Sequence, residues 1–461
     1  MTDNVFLQKF VMISNWQTLV FIAILIALFY FLFTLKKRGV SSTKRTLIAT
    51  GLGLVLGIII QAYSGFSTEP AKIGYISETV KWYSLFGNGF IDLIKMLIIP
   101  LVFFSIVNVI VNINSSTNVN RLTKLTLVTT LGMVAVSSVL GFVVSTVTKL
   151  GANTTVLQEG ESKIKEVKDV VTIFRDLIPS NPVKAMVDLN VIAIVVFAMF
   201  IGLATKYVKE KEEVKVKGFV DFISGGHAVI SRVAVMIIRL MPYAVMPLLA
   251  NTIAQRGLKS IKDVLLFIVL LYVAVAIQFG IQALLLKVNG ISPKTYFKKG
   301  IEPITLAFTS RSSAGTLPLT VKTLTEKLGV NSSTANFVAS FASTAGMQGC
   351  AGIYPTMLVV YLANANGIAV DFTLFILTVI VVTLGSVGIA GVPGTATAAA
   401  SVTVSGVGFA SIFHQINPIL AVDPILDMGR TALNVSGGMT NALVVDKLLG
   451  TFDKEKFNEK L

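Results

Sequence analysis

The sequence is poor in the residues that build metal sites, disulfide frameworks and most hydrolytic active sites. It has one cysteine, Cys350, and two histidines, His227 and His414. A single cysteine allows no intramolecular disulfide and no CxxC metal site, and the isolated histidines form no HExxH pair. We therefore expect no metal, no cofactor and no enzymatic activity.

Charged residues are also scarce, and acidic residues are scarcer than basic ones. Only 14% of the 461 residues are charged, and 24 acidic against 39 basic residues give a formal net charge of +15. Hydrophobic residues make up 54% of the chain and the mean hydropathy is +0.78, which is typical of a polytopic membrane protein. The basic residues stand in short runs between apolar segments and form no basic face, so nucleic-acid binding is not expected.

Long apolar runs predict membrane-spanning helices from the N-terminus onward. Trp16 to Leu35 is followed by basic residues, which indicates a spanning helix and not a cleaved signal. Lys36 to Arg45 holds five basic and no acidic residues, so we expect it on the cytoplasmic side. Further spans are predicted at Thr46 to Gly65, in a segment carrying Lys95 to Phe104, and at Leu125 to Lys149, Asn190 to Tyr207, Phe219 to Ala250 and Val264 to Leu286, with Gly151 to Asp188 as an extracellular loop and Lys206 to Lys217 as a solvated cytoplasmic loop.

The pattern changes after Lys299. Thr305 to Thr320 is too polar and too interrupted by Gly and Pro to cross hydrocarbon as a regular helix, so we expect it to re-enter and turn back. Two further segments are interrupted, Asn336 to Ala365 at Gly346 to Gly352 and Leu384 to Phe409 at Gly388 to Gly394. Backbone freed by such breaks is tolerated at membrane depth only where it lines a cavity or is buried in protein. One break alone is explained by a close helix crossing, but several together are typical of a transporter.

A polar face is predicted on the helix that starts at Asp423. At about 100° per residue, Asp423, Asp427, Arg430 and Asn434 fall within an arc of roughly 60°. Each charge at bilayer depth costs about 2.5–3.5 kcal/mol, so this face is expected to turn toward protein or a watery cavity. Arg430 can hold a carboxylate bidentately and Asp427 can hold an ammonium, which predicts a site for a zwitterionic amino acid with a further anionic group. The alternative is a self-cancelling ion pair that only locks helix packing.

Four stretches resemble the dicarboxylate/amino acid:cation symporters, which have the glutamate-transporter-homologue fold: Lys95 to Phe104, Ser310 to Pro318, Ala390 to Gly394 and Asp423 to Ser436. The resemblance spans almost the whole chain from Thr46. It implies an all-α polytopic membrane protein with two re-entrant helical hairpins and a broken helix, to which this chain adds one N-terminal helix. It also implies a homotrimer in the lipid bilayer of the bacterial cell membrane, working by an elevator mechanism.

The resemblance further implies a division of the chain and a set of site residues. The division is an extra N-terminal transmembrane helix (1–41), scaffold helices (42–124 and 188–260), a transport-domain helix (125–150), an extracellular loop (151–187) and the remaining transport domain (261–461). Asp427 corresponds to the partner of the substrate's α-ammonium, and Arg430 to the partner of its side-chain carboxylate. The other implied contacts are Thr431 and Asn434 on the helix, Ser312 and Ser313 at the first hairpin tip, Val392, Pro393 and Gly394 at the second, Met347 and Cys350 in the broken helix, and Arg311 and Asp423 as gating or ion-pair residues.

The chain departs from the family pattern where cations bind. The family's Asn-Met-Asp-Gly-Thr run is here Gly346 to Cys350, with Gln348 in place of the carboxylate, and a second family carboxylate is here Gly438. A dehydrated sodium ion needs several oxygen ligands, often charged, so these losses favour coupling to protons or to fewer sodium ions. Asp423 or Asp427 would then carry the proton. A site of backbone carbonyls around Thr344, Ser386, Val387 and Ile389 keeps sodium open as the coupling cation.

Within the family, the extra N-terminal helix and the runs Ser310 to Pro318 and Gly346 to Cys350 look most like the bacterial L-cystine uptake branch. We therefore expect L-cystine as the substrate, with its far carboxylate on Arg430 and its near ammonium on Asp427. Arg430 is equally compatible with an acidic amino acid or a C4-dicarboxylate. A non-transporting membrane receptor or channel is the alternative of another class. Cys350 is interpreted as a small packing residue and not as a partner in thiol exchange.

Overall fold

A computed structural model describes residues 10–40, 42–67, 70–112, 117–152, 154, 178–187, 191–256, 259–388 and 395–459, and these ranges are helical without strands. The first nine helices are α1 (Trp16–Lys37), α2 (Ser42–Tyr63), α3 (Gly74–Met96), α4 (Ile98–Val111), α5 (Thr117–Val147), α6 (Pro182–Val187), α7 (Val191–Lys211), α8 (Glu213–Ile238) and α9 (Met241–Arg256). They are followed by α10 (Lys259–Val288), α11 (Pro293–Ser310), α12 (Ser313–Glu326), α13 (Ser332–Thr344), α14 (Tyr354–Ala365), α15 (Phe372–Gly385), α16 (Thr395–Gly406), α17 (Asn417–Ala421), α18 (Asp423–Leu449) and α19 (Lys454–Asn458). The prediction of an all-α protein is confirmed.

Within the described ranges, five helices are long and apolar enough to cross a bilayer. They are Trp16–Lys37, Lys44–Tyr63, Asn120–Val147, Glu213–Ile237 and Lys262–Val288. Their exposed positions carry large apolar side chains such as Phe31, Val55, Val143, Phe222 and Leu265. Apolar side chains on the outside of a long helix suit a lipid environment, so these helices give the chain its multi-pass membrane character.

Three sequence predictions about helix boundaries are wrong. The run predicted as one helix from Phe219 to Ala250 is two helices, α8 and α9, separated by a turn at Arg239 and Leu240 just before Pro242, which supplies no amide hydrogen for a continuous helix. The segment carrying Lys95 to Phe104 is also divided, since α3 ends at Met96 and α4 begins at Ile98.

The third wrong prediction concerns the charged run Lys206 to Lys217, which is helical where a loop was expected. It is occupied by the end of α7 and the start of α8. Lys206 pairs with Glu210 at 3.9 Å, and Lys217 pairs with Asp221 at 2.9 Å. Opposite charges four residues apart stabilise a solvated helix, so a charged run need not be a loop.

One compact unit comprises Met1–Met96, Met236–Val269 and His414–Leu426. Its apolar core joins α1, α2, α3 and α9 through side chains that include Phe21, Leu56, Tyr83 and Met246. The predicted N-terminal helix α1 is anchored here, because the Glu78 carboxylate accepts hydrogen bonds from the Ser14 amide at 3.0 Å and the Thr18 hydroxyl at 2.6 Å. A carboxylate at a helix N-terminus satisfies otherwise unpaired amide groups.

The second unit comprises Leu97–Val235, Leu270–Phe413 and Asp427–Leu461. One of its apolar clusters joins α4 and α7, and another joins α11, α12, α13 and α18 around Tyr296, Leu324 and Met439. Helix α5 lies close to the segment before α14, since a Cβ on Gly141 would lie 2.9 Å from the Ile353 carbonyl oxygen. The Ser138 and Thr356 hydroxyl groups, 2.8 Å apart, add a buried hydrogen bond between α5 and α14.

Candidate functional site

The broken helix provides one wall of the candidate site, within the second unit. Helix α13 ends at Thr344, and a short π-helical segment, Gln348–Ile353, leads into α14. Gly346 has a φ of +69°, a conformation that side chains rarely adopt. A Cβ on Gly349 would lie 2.7 Å from the Arg430 carbonyl oxygen. Glycine therefore permits both the break and the close approach of the π-helical segment to α18.

The Asp427 carboxylate is the centre of the site. It accepts a hydrogen bond from the Thr431 hydroxyl at 3.1 Å, and Arg430 Nη2 lies 3.5 Å from Oδ1. Arg311 Nε lies 3.9 Å from Oδ2 on the other side. These three charged side chains sum to one positive charge, so they favour an anionic group while Asp427 itself suits an ammonium.

Arg430 is held in a fixed orientation. Its side chain is 0% exposed, against 18% for Asp427 and 10% for Arg311, so Asp427 and Arg311 are the more accessible charges. The Arg430 guanidinium carbon lies 4.0 Å from the centroid of the Tyr354 ring. A cation over an aromatic face is stabilised by the ring's electron density, and the stacking also fixes the guanidinium plane.

Asn434 joins α18 to the π-helical segment. Its side-chain oxygen accepts hydrogen bonds from the Gly349 amide at 2.8 Å and the Cys350 amide at 3.3 Å. Its Nδ2 group lies 3.0 Å from Cys350 Sγ, which in turn lies 3.9 Å from Asp427 Oδ1. The sequence predicted Asn434 and Cys350 as substrate contacts, which stays a prediction, and the structure shows that the two residues bind each other.

The junction between α11 and α12 brings Arg311 to Asp427. Arg311 ends α11 with a φ of +55°, a left-handed conformation that is uncommon for a residue with a side chain. The Ser312 hydroxyl oxygen accepts a hydrogen bond from the Gly315 amide at 3.0 Å and thereby caps α12, which begins at Ser313. The first amide groups of a helix have no partner within the helix, so this end of α12 suits an anion.

The remaining predicted residues are only partly accounted for. Met347 is buried beside the π-helical segment, and Asp423 is buried in the first turn of α18, while the Arg311 ion pair is made with Asp427. The carbonyl oxygen of Ser386, a residue of the predicted cation site, accepts a hydrogen bond from the Gly346 amide at 3.3 Å, and that cation site stays a prediction. Val387 follows in the same 3-10 turn. The Thr344 side chain and the residues Ile389, Val392, Pro393 and Gly394 lie outside the described part of the chain.

Sequence reasoning missed three groups near the site. Gln278 and Gln282 of α10 donate hydrogen bonds to the side-chain oxygen of Gln348 at 3.0 and 2.9 Å. The Tyr354 ring lies against the Arg430 guanidinium, in a cation–π contact. Two glutamines four residues apart in an otherwise apolar span were a usable signal, because polar residues in such helices face protein rather than lipid. Tyr354 gave no such signal.

Two guanidinium groups meet one carboxylate in a chain with several membrane-length helices, an arrangement typical of a membrane transport protein, and comparison with known sequences agrees. The profile of the sodium:dicarboxylate symporter family matches residues 43–448. An L-cystine uptake protein, TcyP, of Bacillus cereus is 35% identical over 454 residues, covering 95% of this chain and 96% of that protein. The TcyP proteins of Bacillus licheniformis and Shouchella clausii are 35% and 33% identical over 95% and 96% of this chain, respectively, and 96% of theirs.

The chain belongs to the sodium:dicarboxylate symporter family. It is therefore a multi-pass membrane transporter of a family with bacterial members, and not an enzyme. This confirms the family resemblance found from the sequence motifs. Because symporters couple substrate movement to an ion gradient, membership of this family indicates that transport is coupled to a cation.

Proposed function

We propose that the protein imports L-cystine by secondary active transport. The observation that carries the proposal is the Asp427 carboxylate between the guanidinium groups of Arg430 and Arg311. This arrangement offers one partner for an ammonium and two for carboxylates, so it can hold one ammonium and both carboxylates of L-cystine, as it can the charged groups of an acidic amino acid. Relatives that match 95% of the chain at 35% identity are named L-cystine uptake proteins, which favours cystine among such ligands.

In this proposal Asp427 holds the α-ammonium, and Thr431 and Asn434 contact the polar groups of the amino acid. Arg430 or Arg311 holds the far carboxylate. Ser312 and Ser313, at the start of α12, contribute hydroxyl and amide donors to the α-carboxylate. Val392, Pro393 and Gly394 close over the same group, and Met347 and Cys350 line the remaining wall.

We propose the elevator mechanism for the movement itself. Helices α11 and α12 form the first re-entrant hairpin, and the segment 384–409 forms the second. The transport domain is 125–150 together with 261–461, the scaffold is 42–124 and 188–260, and the whole functions as a homotrimer. Support comes from the family, and from helices interrupted beside the buried charges, because irregular backbone at membrane depth belongs in a cavity or in protein.

The first test is competition for binding. Purified protein in proteoliposomes should take up labelled L-cystine. Unlabelled cystine should inhibit this uptake at lower concentrations than aspartate or succinate does. If aspartate competes at least as well as cystine, the substrate is an acidic amino acid, and if succinate does, it is a C4-dicarboxylate. Binding without uphill uptake of any of these solutes would indicate a non-transporting receptor.

The coupling cation is proposed to be the proton. Two carboxylates of the family pattern are replaced by Gln348 and Gly438, which removes charge that would offset the desolvation of sodium. Asp423, buried in the first turn of α18, is the proposed proton carrier, since Asp427 faces the substrate ammonium.

A gradient experiment separates the two cations. In the same vesicles, an inward pH gradient without sodium should drive cystine uptake, and a sodium gradient at equal pH should drive little. Uptake that needs sodium and ignores the pH gradient would contradict proton coupling while leaving the cystine assignment intact.

A further inference from the structure

A group of three buried glutamines lies next to the candidate site. Gln278 and Gln282 stand one turn apart on α10, and both donate to the side-chain oxygen of Gln348, at 3.0 and 2.9 Å. All three are at most 1% exposed. Burying an amide is costly unless it is hydrogen-bonded, and in the described part of the chain Gln278 Oε1 and Gln348 Nε2 are buried without a hydrogen-bond partner, so packing alone does not explain the group.

The group continues into two other helices. Gln282 Nε2 also lies 3.2 Å from the Leu433 carbonyl oxygen, and Gln282 Oε1 accepts a hydrogen bond from the Ser436 hydroxyl at 2.6 Å. The Ser436 hydroxyl lies 2.8 Å from the Tyr296 hydroxyl of α11. The glutamines therefore tie α10, the π-helical segment, α18 and α11 into one hydrogen-bonded unit.

This hydrogen-bonded group reaches Asn434 in two ways, through the backbone that precedes it and through the segment that binds its side chain. Leu433, whose carbonyl is held by Gln282, directly precedes Asn434. Gln348, held by both glutamines, directly precedes Gly349, whose amide donates to the Asn434 side chain. We propose that Gln278 and Gln282 are positioning residues of the amino-acid site, which act through Gln348 to set the geometry of Asn434 and Cys350.

A second consequence concerns the Gln348 oxygen. A carbonyl oxygen has two lone pairs, and both are used by the hydrogen bonds from Gln278 and Gln282. Both acceptor positions of this oxygen are thus used by hydrogen bonds within the protein, which leaves none for a coupling cation. This inference rests on the proposed function for its substrate, and its test includes a measurement that needs no substrate.

Cys350 supplies that measurement, because it is the chain's only cysteine and is buried at the site. Gln278→Met removes a donor to Gln348 with little change in volume, and the Gln278 oxygen has no hydrogen-bond partner in the described part of the chain. In reconstituted protein, alkylation of Cys350 by N-ethylmaleimide should be about three- to tenfold faster in Gln278→Met and in Gln282→Met than in the wild type. All variants should react equally after denaturation.

The matched control is Ser138→Ala, which breaks a buried side-chain hydrogen bond between α5 and α14 in the second compact unit, away from the glutamines. Its alkylation rate should equal that of the wild type. The variant Gln278→Met/Gln348→Leu should react no faster than Gln348→Leu, because Gln278 acts through Gln348. If Gln348→Leu does not fold, the two single methionine variants still decide.

Cystine uptake by the same proteins is the second readout. The half-saturating cystine concentration should rise about three- to tenfold in Gln278→Met, with the maximal rate and the half-saturating cation concentration unchanged. Unchanged alkylation in both methionine variants, or equal acceleration in Ser138→Ala, would overturn the positioning role. Absence of cystine uptake in the wild type would instead contradict the proposed function, while the alkylation rates would still test this inference.

Discussion

At the scale of single residues, Arg430 is the most telling side chain. Among the described residues, Arg430 has the largest side chain that is completely buried. Burying a charge carries a desolvation cost of several kcal/mol, which Asp427 at 3.5 Å and the Tyr354 ring at 4.0 Å offset here. Buried charged groups in membrane proteins are usually functional, and a guanidinium is well suited to binding an anion.

Tyr354 gives a prediction about this support. Tyr354→Leu should weaken cystine binding by about two- to thirtyfold, because the cation–π contact contributes about 0.5–2 kcal/mol and its loss lets the guanidinium turn. Tyr354→Phe keeps the aromatic face and should bind within about twofold of the wild type. Equilibrium binding of labelled cystine measures both, and equal losses in the two variants would show that the hydroxyl, not the ring, matters.

Part of the site could be predicted from the sequence at this scale. Asp427 and Arg430 follow from helical periodicity on α18, and Thr431 was implied by the family resemblance; the structure does bring Arg430 and Thr431 to the Asp427 carboxylate. Tyr354 and Gln278 could not be assigned to it, because their contacts depend on how separate helices pack. Periodicity within one helix carries no information about that register.

At the scale of elements, the π-helical segment is the feature that shapes the site. Its glycines allow the backbone at Gly349 to approach α18, where a Cβ would lie 2.7 Å from the Arg430 carbonyl oxygen. Clustered glycines in an apolar run predicted this break correctly. The break between α8 and α9 went unpredicted because the apolar pattern runs continuously through Arg239 and Leu240, and Pro242 alone does not distinguish a kink from an end.

A glycine substitution tests the close approach. Gly349→Ala should push the π-helical segment away from α18, costing about 1–3 kcal/mol in overpacking, and should lower cystine affinity. Gly280→Ala is the matched control, since a Cβ on Gly280 of α10 meets nothing within 4 Å. That variant should unfold at the same or a slightly higher temperature than the wild type, because alanine favours a helix. Thermal unfolding and cystine binding should be measured for both variants. Wild-type affinity in Gly349→Ala would show that the close approach at Gly349 does not shape the site.

At the scale of the whole molecule, composition alone was enough to predict a multi-pass membrane protein. The low charge and high hydropathy led to this class, and the family and the five membrane-length helices confirm it. The anchoring of α1 through Glu78 could not be predicted, because nothing in the sequence pairs a carboxylate in α3 with an amide 64 residues earlier and a hydroxyl 60 residues earlier. The division into scaffold and transport domain stays a prediction, since it concerns movement.

In the proposed mechanism, the Asp427 and Arg430 pair binds the transported amino acid. Asp427→Ala leaves the buried Arg430 guanidinium without its carboxylate, at about 3–5 kcal/mol, and Arg430→Ala removes the guanidinium nearest to Asp427. We expect each variant to lose affinity on the order of hundreds-fold or more. Arg232→Ala removes the same charge from an exposed position of α8 and serves as the control.

The decisive measurement is equilibrium binding of labelled L-cystine to these three variants and the wild type in one membrane preparation. We expect undetectable high-affinity binding in Asp427→Ala and Arg430→Ala and wild-type binding in Arg232→Ala. Near wild-type affinity in either of the first two, in protein that is folded and reconstituted, would contradict the account and move the site elsewhere.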